Sequence, residues 1–80
     1  MRRALVVPDV GASNAEISAW YVHVGERVYA GDRVVELLLG AATFDVPAPC
    51  NGTLIETLAR LGDRVTDGQT VGYINEELET

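Results

Sequence analysis

The chain carries few side chains that could do chemistry, and the shortage narrows its function. His23 is the only histidine and stands beside Val24-Gly25, with no cysteine, aspartate or second histidine at ligand spacing, so it reads as a surface residue. Cys50 is the only cysteine, which excludes an internal disulfide. It sits between Pro49 and Asn51-Gly52 with no basic neighbour to favour the thiolate, and reads as a small apolar turn filler. Ser13 and Ser18 have neither a base nor an oxyanion motif nearby, and no phosphate loop or pair of catalytic carboxylates occurs. All six basic residues are arginines: Arg2, Arg3, Arg27, Arg33, Arg60 and Arg64. A chain without lysine has no side-chain amine, so Schiff bases, amide-linked cofactors and lysine general bases are excluded.

Eighty residues make at most one domain with a compact core. The net charge of −6 repels nucleic acid and anionic lipid, so neither is an expected partner. No apolar run approaches the roughly 18 residues that a membrane span needs. Met1-Arg2-Arg3 begins like a signal peptide, but Pro8-Asp9 interrupts the apolar stretch too early. The expectation is a cytoplasmic protein without a membrane segment. The Met1 start and acidic tail suggest a complete small protein or an amino-terminal domain.

The organising stretch runs from Glu36 to Pro47. Glu36 to Leu39 is a mixed apolar run and Thr43 to Val46 alternates and is rich in β-formers, so Val34 to Leu39 and Ala42 to Val46 both read as strands. Gly40-Ala41 between them is a type II′ hairpin signal, because the first central position needs φ > 0. Further strands are expected over Arg3 to Val7, Ala15 to Val24, Thr53 to Leu61 and Thr70 to Ile74. Leu54, Leu58 and Leu61 also allow a helix over Thr53 to Leu61, but the Asn51-Gly52 entry and Gly62 exit suit a strand better. Residues 1–75 are expected to form the domain, and 76–80 a frayed acidic tail.

The chain also repeats itself. Gly25-Glu26-Arg27-Val28 with Gly31 and Val34 lies over Gly62-Asp63-Arg64-Val65 with Gly68 and Val71, in one gapless register. Ile17, Tyr21 and Val24 match Leu54, Leu58 and Leu61 at the same shift. Two such halves sharing a core predict a pseudo-two-fold all-β sandwich with few free edges.

At this level the sequence resembles the lipoyl domains of the acyltransferase components of 2-oxo acid dehydrogenase complexes. The likeness rests on Val7-Pro8-Asp9-Val10-Gly11, Glu16-Ile17 with Trp20, Gly25-Glu26-Arg27-Val28, Gly31-Asp32, Ala42 to Pro49 followed by Gly52, Gly62 to Val65 and Gly68-Gln69, all in order. It implies a flattened β-barrel or sandwich of two four-stranded sheets. The family carries Asp-Lys-Ala at the hairpin tip, with lipoate joined to the lysine as an amide. Here those positions are Gly40, Ala41 and Ala42, and Ala41 has no nucleophile to acylate. The related biotinyl domains need the same lysine, so neither lipoate nor biotin attachment is expected. Leu38, Leu39 and Phe44 stand where an apolar tip could dock on a protein partner.

The expected function is a non-catalytic interaction module with the surface of a carrier and no cargo. Its expected partners are dehydrogenase-complex proteins, lipoylating enzymes or another copy of itself. The alternatives are a swinging-arm carrier whose lysine has been replaced at Ala41, or a structural connector in a larger transport or enzyme subunit.

Overall fold

The computed structural model describes residues 1–9, 11 and 14–78. Eight strands occur among them: β1 (Arg2–Val6), β2 (Ala15–Trp20), β3 (Arg27–Val28), β4 (Arg33–Leu39), β5 (Ala42–Pro47), β6 (Gly52–Thr57), β7 (Arg64–Val65) and β8 (Thr70–Glu76). They form two four-stranded antiparallel sheets. One has the order β1-β8-β6-β3 and holds both ends of the chain; it is called the terminal sheet. The other, β5-β4-β2-β7, carries the β4–β5 hairpin and is called the tip sheet. The expected all-β sandwich of two four-stranded sheets is what the chain forms.

The repeat is carried into three dimensions almost bond for bond. One constant shift takes β2, β3 and β4 onto β6, β7 and β8. Gly25 N–H donates to Leu54 O, and Gly62 N–H donates to Ile17 O, each at 2.8 Å. Tyr21 N–H donates to Val34 O, as Leu58 N–H does to Val71 O. β1 and β5 match as well: Arg2↔Asn75 corresponds to Thr43↔Leu38, and Leu5↔Gly72 to Val46↔Val35. Each sheet therefore takes two central strands from one half and two edge strands from the other, so neither half closes a sheet alone.

Alternation fills the interior. Leu5, Ile17, Val28, Leu37, Leu54, Val65, Val71 and Ile74 are fully buried, and burying one such side chain is worth about 1.5–3 kcal/mol. A bulge between Arg33 and Val35 breaks the alternation in β4 and turns Val34, Val35 and Leu37 all inward. Gly52 marks the tightest approach, since a Cβ there would lie 2.1 Å from the Asn75 carbonyl oxygen.

Several elements differ from their sequence expectation. Arg27–Val28 and Arg64–Val65 are strands too short to show a period. The segment 53–61 is no helix: its strand ends at Thr57, and the chain then leaves to run beside β2, where Trp20 Nε1 donates to Ala59 O at 3.1 Å. β2 likewise stops at Trp20 rather than at Val24. β8 runs on to Glu76, whose N–H donates to Met1 O, and Glu77 N–H donates to Asn51 O, both at 2.8 Å. The Glu77 carboxylate also pairs with Arg27. Backbone pairing thus holds the first two residues of the segment expected to fray, while 79 and 80 lie outside the described residues.

Candidate functional site at the hairpin tip

The tip is built by the antiparallel pairing of β4 with β5. Leu39 faces Ala42, Leu38 faces Thr43 and Leu37 faces Phe44, leaving only Gly40-Ala41 to reverse the chain. Gly40 takes φ +61° while Ala41 keeps a negative φ, which is the type II′ pattern expected from the sequence. Gly40, Ala41 and Ala42 are all exposed, and a Cβ on Gly40 would meet open space. The apex presents backbone amides, two methyl groups and, one residue on, the Thr43 hydroxyl. No ionisable side chain stands between Leu37 and Phe44. Such a surface can make hydrogen bonds and small apolar contacts, and it carries no side-chain amine.

The three apolar residues expected beside the tip do not share a face. The register puts Leu39 and Phe44 on the inner side with Leu37, and Leu39 packs against the buried core. Leu38 is on the outer side, between Glu16 of β2 and Thr43 of β5, and is half-buried there. Of the three, Leu38 alone faces outward at the tip.

Behind the tip, the outer face of this sheet is closed by a polar network that the sequence reading missed. Ser18 Oγ and Tyr21 OH each donate to the Glu36 carboxylate at 2.8 Å. The Arg33 guanidinium lies 4.8 Å from the Tyr21 ring centroid and 3.7 Å from the Asp45 carboxylate. The hydrogen bonds from Tyr21 and Ser18 lower the Glu36 pKa, and the same bond raises that of Tyr21. Glu36 is therefore a weak base, and among the described residues Ser18 has no other partner that could activate it. The missing signal was the register: only pairing β2 with β4 brings Ser18, Tyr21 and Glu36 together.

The remaining chemical groups are dispersed. His23 is exposed, and its backbone N–H donates to Glu26 Oε1. Cys50 is buried, and burial pushes its thiol pKa up, away from the reactive thiolate. Ser13, with Val10 and Ala12, lies outside the described residues. Among the described residues no group of three or more His, Cys, Asp or Glu side chains could hold a metal ion. Among the same residues no helix is long and apolar enough to cross a membrane.

A family model described as "Biotin-requiring enzyme", covering biotin and lipoyl domains, matches residues 3–74. The chain belongs to the biotin/lipoyl domain family. The succinyltransferase component of the 2-oxoglutarate dehydrogenase complex of Rickettsia typhi is 36% identical over 78 residues, which is 95% of this chain and 20% of that protein. The acetyltransferase component of the pyruvate dehydrogenase complex of Cupriavidus necator is 38% identical over 63 residues, 78% of this chain and 11% of that protein. This biotin/lipoyl domain thus spans a fifth or less of the length of these curated relatives. The solution structure of the lipoyl domain of the 2-oxoglutarate dehydrogenase complex from Azotobacter vinelandii has the same fold, with a TM-score of 0.70 at 20% identity over 95% of this chain and 96% of that one.

Proposed function

We propose that this chain is a lipoyl-type domain that works without cargo, as a non-catalytic protein-interaction module of a 2-oxo acid dehydrogenase system. One observation carries the reading: the exposed turn where the resemblance places the attachment lysine is Gly40-Ala41-Ala42, in a chain that contains no lysine. A carboxylic acid cofactor joined as an amide needs an amine at that apex, and a methyl group supplies none. The rest of the chain keeps the two four-stranded sheets of that fold, which supports a scaffold that still presents its surface to a partner. The partners consistent with that surface are the dehydrogenase-complex proteins or lipoylating enzymes that handle lipoyl domains. The outward Leu38 beside the tip is the side chain that a docking partner would cover.

The test is affinity co-purification from the native host, with an intact mass on the same sample. The proposal expects dehydrogenase-complex or lipoylation proteins in the eluate and a bait at its sequence mass. A bait with no specific partner overturns the interaction role. A mass increment of a lipoyl or biotinyl group overturns the cargo-free reading.

A further inference from the structure

An asparagine followed by glycine carries its own nucleophile, and Asn51-Gly52 is such a pair. The Gly52 amide nitrogen, once it has given its proton to a solvent base, can attack Asn51 Cγ. The N–Cγ bond forms, the Cγ–Nδ2 bond breaks, and the leaving nitrogen takes protons from solvent and departs as ammonia. Water then opens the resulting succinimide. Cleavage of the new N–Cγ bond gives an ordinary aspartate. Cleavage of the bond to the Asn51 main-chain carbonyl carbon leaves the chain running through the side chain, as a β-linked aspartate. Glycine permits the attack because it has no Cβ to block the approach. Asn14 and Asn75 precede Ala15 and Glu76 and lack that freedom.

We propose that Asn51 is a spontaneous modification site that the fold holds shut, and that departure of β3 from the terminal sheet opens it. Ala30 N–H donates to Asn51 Oδ1 at 2.8 Å and fixes the side-chain amide. Glu77 N–H donates to Asn51 O at 2.8 Å and fixes the peptide plane whose nitrogen is the nucleophile. Gly52 is buried and faces Val28 of β3 on one side and Glu76 of β8 on the other. The ring closes only when this peptide turns toward Asn51 Cγ, so these contacts must break first. β3 is the part that yields. It is a two-residue strand at the edge of its sheet, tied to the end of β8 by the exposed Arg27–Glu77 ion pair. Exposed pairs contribute little, and short edge elements open at a small fraction of the global stability.

The two products differ in whether they fit the fold. Aspartate keeps an oxygen for Ala30 N–H and leaves the main chain unchanged. The β-linked product lengthens the main chain by one carbon just before Gly52, where the packing has no slack: a Cβ on Gly52 would already overlap the Asn75 carbonyl and the Ile74 side chain. A β-linked chain therefore loses the pairing of β6 with β8, and the reaction retires the domain.

Timed incubation at mildly alkaline pH, followed by peptide mapping and an assay for β-linked aspartate, tests the proposal. The folded chain is expected to convert at Asn51 at least ~10-fold more slowly than the same chain unfolded in urea, where Asn14 and Asn75 lag behind it. Low urea should leave the folded rate flat, as local opening requires; a rate that climbs with global unfolding from the first addition overturns β3 as the route. Ala30→Pro releases the side chain while sparing the turn. Asp32 N–H donates to Tyr29 O at 2.9 Å and Gly31 has φ +89°, so Ala30 is the first central residue of a type II turn, a position that suits proline. The variant loses the N–H that holds Asn51 Oδ1, so its melt should stay near wild type while its folded rate rises several-fold. On removal of urea, aspartate chains should refold and β-linked chains should not. Equal rates in the folded and unfolded wild type overturn the proposal, as does a folded Ala30→Pro that converts no faster than wild type.

Discussion

Leu38 and Leu39 are neighbours in sequence on opposite sides of one strand, so the same substitution at each separates core from surface. Consider Leu39→Thr. Leu39 is half-buried and packs on the core. Full burial of a leucine is worth about 1.5–3 kcal/mol, so roughly half of that, about 1 kcal/mol, is lost with the side chain. The threonine hydroxyl then faces apolar neighbours, which costs about another 1–2 kcal/mol. The sum is about 2–3 kcal/mol, and at about 4–8 °C per kcal/mol for a domain of this size the melt falls by some 10–20 °C. Leu38→Thr removes a side chain from the outer row between Glu16 and Thr43. A cross-strand Thr–Thr pair and good β-propensity offset part of its loss, so its cost stays under about 1 kcal/mol. Trp20 reports both melts, since its indole packs on the core and donates to Ala59 O. Equal shifts for the two variants, or a larger one for Leu38→Thr, would refute the inward assignment of Leu39.

Other outcomes follow from the same geometry. Gly52→Ala should fail to fold, or lose most of its stability by chemical denaturation, because the new Cβ would lie 2.1 Å from a backbone oxygen that cannot move without opening the β6–β8 pairing. Gly40→Val should lower stability by about 1–2 kcal/mol, since φ +61° is the left-handed region, and Gly40→Asn should cost less. Cys50 should react with a thiol reagent only as fast as the protein opens, because it is buried and its thiol pKa is raised; a rate matching a free thiol in the native protein would contradict its burial. The Glu36 carboxyl has a lowered pKa in the fold, so its contribution is present above the ordinary carboxylate pKa and lost as pH falls through the lowered folded value. Melts recorded down the acid range should therefore show a shallower loss for Glu36→Gln than for the wild type.

Much of this fold was legible because the repeat states it twice. Gly25 and Gly62, with the Arg and Val that follow each, fix two equivalent turns and strands, and pairing one half announces the other. The tip was legible from Gly40-Ala41 alone, since a two-residue reversal with one positive φ admits few geometries. Strand ends were less so. Tyr21, Val24, Leu58 and Leu61 look like strand residues by composition, but they lie in segments that cross between sheets and stay exposed. Alternation failed at β4 because a bulge adds a residue to one strand without any mark in the sequence. The outer faces were hidden for a further reason: which side chains meet across Ser18, Tyr21 and Glu36, or across Ala4, Tyr73 and Glu56, depends on pairings distant in sequence.

Whether the apex of this scaffold can be loaded is read from an intact mass. The wild-type chain and Ala41→Lys would each be co-expressed with a lipoylating enzyme and supplied with lipoate. The wild type is expected at its sequence mass and Ala41→Lys with a single lipoyl increment, since that change supplies an amine on the exposed turn. A lipoyl increment on the wild type would overturn the cargo-free reading. So would a folded Ala41→Lys that stays unmodified, for then the tip at Gly40-Ala41 is not the attachment position.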